Sequence, residues 1–248
     1  MIKSRLFIAA ALLFAVIVGT HAQEHGVRPA TISSVRLGNQ SILIPVPDGF
    51  EEATSQFDSF KQRMATTEAP QNDMLFAHMP VSDCDLMRQG SAPTYDFYTK
   101  VSVLRIAREM AVTREMLASA AEGYRKNAGK LLDPNGPEMQ RMNKRLSQGI
   151  SELDSRETTI DLSKPQQLGE FDTRPDIASF LTMITVTTTV GSAQATIPML
   201  STTTFIRVKQ RIIFVYAFRK YRSPADMEAI KQFARNWNTS ILAANRAQ

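Results

Sequence analysis

Histidine is the side chain whose charge changes most readily near neutral pH, and this sequence has three histidines. His21 precedes an expected cleavage site and His25 lies in a polar tail, so His78 is the one histidine expected in the folded domain. Any Ser-His-Asp or Cys-His site would depend on it, and the sequence lacks the G-x-S-x-G nucleophile motif. The sequence also lacks G-x-G-x-x-G, a phosphate-binding P-loop, H-E-x-x-H and paired cysteines. We therefore predict no catalytic residues, no cofactor and no enzyme activity.

The segment around His78 is the best local candidate for metal binding. Asp83, Cys84 and Asp85 follow it, and an imidazole with carboxylates can bind a borderline metal. Three of these residues are consecutive, and such neighbours rarely converge on one ion. The pattern favours a solvated acidic loop, and we predict no metal site. The two flanking carboxylates should also raise the pKa of the Cys84 thiol, which predicts an unreactive cysteine.

Basic residues collect at both ends of the longest apolar run after the N-terminus, Ile212 to Phe218. The two groups are Arg207, Lys209 and Arg211 before the run, and Arg219, Lys220 and Arg222 after it. As candidate binding residues they could form two anion-binding edges, for phospholipid head groups or an acidic partner. The alternative, which the pattern favours, is that they cap the solvated ends of a hydrophobic hairpin and discourage edge pairing.

A site built from two carboxylates needs no histidine, so the shortage of histidine does not exclude it. A glycosidase-like site needs two acids facing each other across a pocket, roughly 5–10 Å apart. A sequence cannot show which acids face each other. A hydrolase that uses paired acids therefore stays open as an alternative.

Residues 1–22 have the pattern of an export signal. Lys3 and Arg5 precede an apolar run of 14 residues, Leu6 to Gly19, and small residues before Gln23 suit cleavage. The run is shorter than the roughly 20 residues that span a bilayer, although an uncleaved anchor stays open. We predict a periplasmic or secreted protein with no transmembrane segment in the mature chain. Cleavage lowers the formal net charge of +5 by two, so little favours nucleic acid as a partner.

The composition predicts one globular domain over residues 23–248, with a polar tail at 23–31. Hydrophobic residues make up 43% of the 248 and charged residues 21%, which suits an ordinary buried core. Apolar periodicity predicts a series of strands and helices along the chain. The expected strands are 32–37, 41–46, 73–81, 95–106, 158–162, 167–171, 177–190, 193–208 and 211–219, and residues 82–94 are expected to be a loop. Helices are expected from Asp48, Thr113, Pro137 and Ser223.

The strand Ile212 to Phe218 decides the predicted fold class. Both of its alternating sets of side chains are apolar, so both faces of the strand should be covered. We therefore predict a single-domain α/β (α+β) fold, in which helices lie on both faces of a predominantly antiparallel sheet.

Three segments resemble the PsbP-like superfamily, the group of the photosystem II extrinsic P subunit and the DcrB-type exported proteins. They are the run Ile44-Pro45-Val46-Pro47-Asp48-Gly49-Phe50, the strand-turn-strand from Thr203 to Phe214, and the closing helix Ser223 to Leu242 with Trp237. The resemblance implies an antiparallel sheet between helices and a role as a binding or assembly factor. Residues 107–156 depart from the pattern, because two helices and a polar segment there are longer than expected.

These observations predict an exported, non-catalytic binding or assembly module of the bacterial cell envelope. Its partner is an unknown envelope protein or a small ligand, and the sequence does not choose between them. Two alternatives remain: the carboxylate-based hydrolase, and a binder of anionic surfaces such as lipid head groups.

Overall fold

The computed structural model describes residues 31–131, 133, 136–163 and 165–246, without the side chains of 128–131. The expected signal segment 1–22 and all of the polar tail except Thr31 lie outside the described residues.

An eight-stranded antiparallel sheet forms the centre of the molecule. The ten strands of the described chain are β1 (Ile32–Leu37), β2 (Gln40–Pro45), β3 (Phe50–Glu52), β4 (Asn72–Pro80), β5 (Phe97–Leu104), β6 (Thr158–Leu162), β7 (Gln166–Asp172), β8 (Ile177–Val190), β9 (Ala193–Val208) and β10 (Arg211–Lys220). The sheet has the order β3-β4-β5-β10-β9-β8-β6, with β7 also paired to β8, and β1 and β2 form a separate hairpin. The expected hairpins at both ends of the chain are confirmed.

Helices cover both faces of the sheet, as the doubly apolar strand predicted. They are α1 (Asp58–Thr66), α2 (Val81–Arg88), α3 (Arg114–Leu131), α4 (Pro137–Asp154) and α5 (Pro224–Arg246), and a short 3₁₀ turn spans Arg105–Ala107. In β10, Phe214 and Tyr216 belong to the core beneath α1 to α4, whereas Val215 belongs to the core with α5 and the β1–β2 hairpin. Trp237 of α5 is buried in that second core, where its indole N–H donates to the carbonyl of Pro45. The predicted single-domain α/β fold is confirmed.

The helix predicted from Asp48 begins ten residues later. Phe50 and Glu51 instead pair with β4, and the Glu52 carboxylate accepts the backbone N–H groups of Thr54 and Ser55. This side-chain bond closes a tight turn before α1, so the apolar 3–4 spacing is divided between a strand and a helix.

The loop predicted at 82–94 contains α2. Cys84 and Met87 lie three residues apart on its buried side, and this spacing places both in the core. The Asp83 carboxylate accepts the backbone N–H and the hydroxyl of Thr94, which ties the segment after α2 back to the helix.

Local signals at the other helix starts agree with the structure. The Thr113 hydroxyl accepts the N–H of Met116 at the start of α3, and Pro137 is the first residue of α4. At the start of α5, the Asp226 carboxylate accepts the N–H of Ser223. Among the described residues, no helix combines the length and the apolar character needed to cross a membrane.

Candidate functional site

A cleft of about 510 Å³ lies between the end of α1, the start of β4 and the C-terminal half of α4. Its volume is within the range of roughly 300–1,000 Å³ that is usual for small-molecule sites. The residues that matter for its chemistry are Glu68, Asn72, Arg145, Gln148 and Glu152. We call this feature the α1/α4 cleft.

The walls of the α1/α4 cleft are held close by two contacts between α1 and α4. A Cβ atom at Gly149 would collide with the Thr66 methyl group, so glycine lets the helices approach. Arg63 of α1 forms an ion pair with Asp154 of α4 at 2.5 Å. The packing of α1 against α4 therefore sets the distance between the walls of the cleft.

A buried ion pair forms the base of the site. Lys100 of β5 is 1% exposed, and its Nζ lies 3.0 Å from Glu68 Oε2. The ammonium also lies 5.5 Å from the centre of the Tyr216 ring and 3.4 Å from the Thr67 hydroxyl. Burial lowers the pKa of Lys100 more than the neighbouring Glu68 carboxylate raises it.

Glu68 is saturated with donors. It accepts hydrogen bonds from the Ser102 hydroxyl at 2.5 Å, Asn72 Nδ2 at 2.8 Å and the Ala69 N–H at 3.2 Å. Burial alone would raise the pKa of Glu68, but Lys100 and these side-chain donors outweigh it and hold the pKa below its ordinary value. Glu68 is therefore a fixed carboxylate at neutral pH.

Arg145 and Asn72 bring unused hydrogen-bonding capacity to the cleft. Arg145 Nε and Asn72 Oδ1 are buried and have no hydrogen-bond partner among the described residues. Arg145 also forms no ion pair there, and burial lowers its pKa more than Glu68 raises it. Buried polar atoms are nearly always paired in folded proteins, so an unpaired donor and an unpaired acceptor on two residues that line one cleft are suited to a ligand.

The first basic group predicted from the sequence is committed to contacts within the chain. Arg207 pairs with Asp176 at 2.9 Å and donates to the carbonyl of Val112. Lys209 donates to the carbonyl of Ser41. Arg211 is 7% exposed and donates to the carbonyl of Leu37 and to Asn39 Oδ1, while its NH1 donates to the carbonyl of its neighbour Gln210. These residues dock the β1–β2 hairpin and the loop before α3 onto the β9–β10 turn.

The second basic group is paired with two aspartates. Arg219 bonds Asp226 at 2.8 Å, and both Lys220 and Arg222 form ion pairs with Asp96. The six cations thus stand at two opposite ends of the strands and do not converge on one site. Their charges are largely balanced by acids or carbonyls of the chain.

His78, Cys84 and the two neighbouring aspartates are not brought together. The His78 ring is buried beneath Trp237, with Nδ1 2.9 Å from the Thr99 hydroxyl, whereas Cys84 lies in the core beneath α1 and α2. Burial lowers the pKa of His78 to about 3, so the imidazole is neutral. In the described part of the chain, no group of three His, Cys, Asp or Glu residues could hold a metal ion.

The expected rise in the pKa of the Cys84 thiol has a different main cause. Burial raises it to about 12, and Glu51 contributes more than Asp83 and Asp85, the neighbours that the sequence suggested. The sequence reasoning also missed Glu68, Lys100 and Arg145. One available signal was Lys100 itself, a charged residue inside an otherwise apolar and hydroxylic strand.

Comparisons with known proteins add little to this geometry. No protein-family model matches the chain. No curated protein sequence matches it either. The Ran-binding protein Mog1p of Saccharomyces cerevisiae is similar in structure, with 14% identity and a TM-score of 0.38 over 82% of this chain and 90% of that one. A point mutant of Mog1 gives 12% identity and a TM-score of 0.38 over 87% and 95%. These scores are too low to support an inference about function.

Proposed function

We propose that this chain is an exported, non-catalytic binding module of the bacterial cell envelope, and that it takes a small polar ligand in the α1/α4 cleft. The observation that carries the proposal is the pair of unpartnered buried atoms, Arg145 Nε and Asn72 Oδ1, on two residues that line one cleft of small-molecule size. A small ligand is favoured over an envelope protein as the partner, because the cleft is a concave site suited to small molecules.

The chemistry of the cleft favours binding over catalysis. Glu68 and Glu152 both line it and are the two acids that a hydrolase could use there. A general acid in such a pair needs a raised pKa, and that of Glu68 is lowered by Lys100 and its hydrogen-bond donors. His78 is sealed beneath α5 and is unavailable to the cleft. A carboxylate-based hydrolase is therefore the weaker hypothesis.

Export is supported by the sequence of residues 1–22, with its basic start, apolar run and small residues before Gln23. N-terminal sequencing of the protein from its native host should begin at or near Gln23. Intact Met1 in a membrane fraction would instead favour an uncleaved N-terminal anchor. The PsbP-like resemblance is compatible with an exported binding factor and stays a prediction.

Filling the cleft tests its role directly. Ala65 is exposed on α1 and lines the cleft, so Ala65→Trp should block the space with little effect on folding. Ala229→Trp, at an exposed position on α5, is the matched control. The immobilised proteins would be incubated with a small-molecule extract of the host envelope, and retained compounds identified by mass spectrometry.

The proposal predicts that wild type and Ala229→Trp enrich the same compound and that Ala65→Trp does not. Equal enrichment by all three proteins would place the ligand elsewhere. An absence of any enriched compound, together with turnover of a glycoside or ester by the wild type, would overturn the proposal in favour of the hydrolase.

One observation favours an anionic surface as a second candidate partner. Ile106, in the 3₁₀ turn, is 87% exposed, and Arg105 and Arg108 flank it. An exposed aliphatic side chain between two arginines suits shallow insertion between anionic lipid head groups. Both arginines pair with Asp73, which weakens the local positive charge.

Flotation with vesicles of anionic phospholipid would decide this second candidate. It predicts binding at low salt that falls steeply toward 0.1 M, where screening acts over about 10 Å, and that is lost in Ile106→Ser. Leu168→Ser, at another exposed apolar position, should leave flotation unchanged. Equal flotation of wild type and Ile106→Ser would remove the hypothesis.

A further inference from the structure

The open groups of the α1/α4 cleft specify a chemistry as well as a place. Lys100 and Glu68 neutralise each other, and Arg105 pairs with Asp73 at 2.7 Å. Arg145 and Glu152 are then the two charges that line the cleft without an ion pair among the described residues. The cleft therefore offers one free cation and one free anion.

Arg145 is the group suited to a carboxylate. Arg145 lines the cleft, and its buried Nε–H has no hydrogen-bond partner among the described residues. A guanidinium presents parallel N–H groups that match the two oxygens of a carboxylate. Glu68 is already occupied by Lys100 and three other donors and has little capacity left for a ligand.

Asn72 determines the second group that the ligand must carry. Its Nδ2 donates to Glu68 Oε1 at 2.8 Å, which orients the amide so that Oδ1 is the free atom. An amide oxygen can only accept, so the ligand must bring an N–H or O–H donor to it. Glu152, exposed at the rim, favours a positively charged donor.

From these three groups we infer that the α1/α4 cleft binds a small carboxylate that also carries an N–H donor, the chemistry of an amino acid or short peptide. The carboxylate lies on Arg145, and the nitrogen donates to Asn72 Oδ1 on the side of Glu152. This inference rests on the proposed function, since it names the ligand class of the same cleft.

Calorimetric titration with three probes separates the two requirements. Glycylglycine carries the carboxylate and the N–H groups, glycylglycinamide lacks the carboxylate, and acetate lacks the N–H groups. We expect glycylglycine to bind and each of the other two to bind about 10- to 100-fold more weakly, the usual loss for one charge-assisted hydrogen bond.

Substitutions of two arginines in α4 test whether Arg145 binds the carboxylate. Arg145→Gln should weaken glycylglycine to the level of glycylglycinamide, and Arg145→Lys should restore it only in part, because lysine keeps the charge without the fork. Arg141→Gln is the control, since Arg141 lies one turn earlier and is exposed beside Glu138. Circular dichroism would confirm that each variant is folded.

Two outcomes would overturn the inference. Equal binding of glycylglycine and glycylglycinamide would remove the carboxylate requirement, and equal binding by wild type and Arg145→Gln would remove Arg145. If either occurs while Ala65→Trp still abolishes ligand capture, the ligand class is wrong and the proposed binding function stands. If Ala65→Trp has no effect on capture, the cleft itself is wrong.

Discussion

Strands β4 and β5 carry a buried titratable side chain on each face of the sheet, His78 beneath α5 and Lys100 beneath the α1/α4 side. His78 contacts the Trp237 ring and the Thr99 hydroxyl, and burial keeps it neutral. Lys100 meets Glu68 and forms an ion pair. The same sheet thus buries a neutral group on one face and a pair of charges on the other.

The difference shows which face is suited to binding. Burial removes charge wherever no partner compensates the lost hydration, as at His78. The charges beneath α1 and α4 persist because Glu68 has three hydrogen-bond donors and an ammonium partner. A polar cleft opens on this charged face, whereas α5 and the β1–β2 hairpin form a packed cover on the other.

The largest effect is expected from breaking the buried ion pair. Glu68→Gln leaves Lys100 buried without its counter-charge and should lower the free energy of unfolding by about 3–5 kcal/mol. Denaturant titration measures this loss. The double variant Glu68→Gln/Lys100→Met should recover much of it, because no unpaired charge remains.

The control for this prediction is Glu122→Gln, which removes the acid that Arg125 and Lys126 share in two exposed pairs on α3. It should change stability by at most about 1 kcal/mol. Equal losses in Glu68→Gln and Glu122→Gln would contradict the view that burial makes the first pair important.

Acidification should destabilise the protein through His78, which is buried on the opposite face of the sheet. The pKa of His78 is about 3 in the folded protein and near 6.5 in the unfolded chain, so the unfolded chain binds more protons between these values. The His78 contribution is complete above about pH 6.5 and is lost as the pH falls toward 3. Between pH 7 and pH 5 the loss should be about 2 kcal/mol, measured by denaturant titration at each pH.

His78→Asn isolates this contribution, since asparagine keeps a side-chain polar atom near Thr99 and does not titrate. The variant should start from a lower stability and lose about 2 kcal/mol less than wild type over the same range. Parallel pH profiles for the two proteins would show that His78 is not the titrating group.

The next largest loss of stability is expected where Arg211 holds the β1–β2 hairpin. Arg211→Ser removes the buried bonds to the Leu37 carbonyl and to Asn39 Oδ1, and should cost about 1–3 kcal/mol. Lys209→Ser, two residues earlier and more exposed, should cost no more than about 0.5 kcal/mol. If the two substitutions cost the same in thermal unfolding, Arg211 does not hold the hairpin.

The smallest effects concern two glycines in the helices of the cleft face. Gly123→Ala in α3 meets open space and should stabilise by about 0.5–1 kcal/mol. Gly149→Ala in α4 meets the Thr66 methyl group and should lose this gain or destabilise. Thr66→Ser removes the methyl group, so Gly149→Ala in that background should recover part of the gain. If Gly149→Ala alone stabilises as much as Gly123→Ala, the two helices can separate freely and the prediction is wrong.

The sequence predicted the parts of the fold that local pattern determines. The doubly apolar strand β10 and Pro137 at the start of α4 follow from periodicity and backbone chemistry, and the structure confirms them. Residues 50–52 were missed because their apolar spacing fits a helix as well as a strand edge. Glu68, Lys100 and Arg145 lie far apart along the chain, so only tertiary packing brings them to one cleft.

The contrast between the two faces can be measured in one nuclear magnetic resonance titration. Trp237 is the one tryptophan, so its indole N–H gives a single reporter beneath α5, and the Arg145 Nε–H, assigned from its loss in Arg145→Gln, reports on the cleft. With glycylglycine as the probe, we predict a saturable shift of the Arg145 resonance while the indole resonance stays fixed. A saturable shift of the indole with a stationary Arg145 resonance would contradict the assignment of the α1/α4 cleft as the binding face.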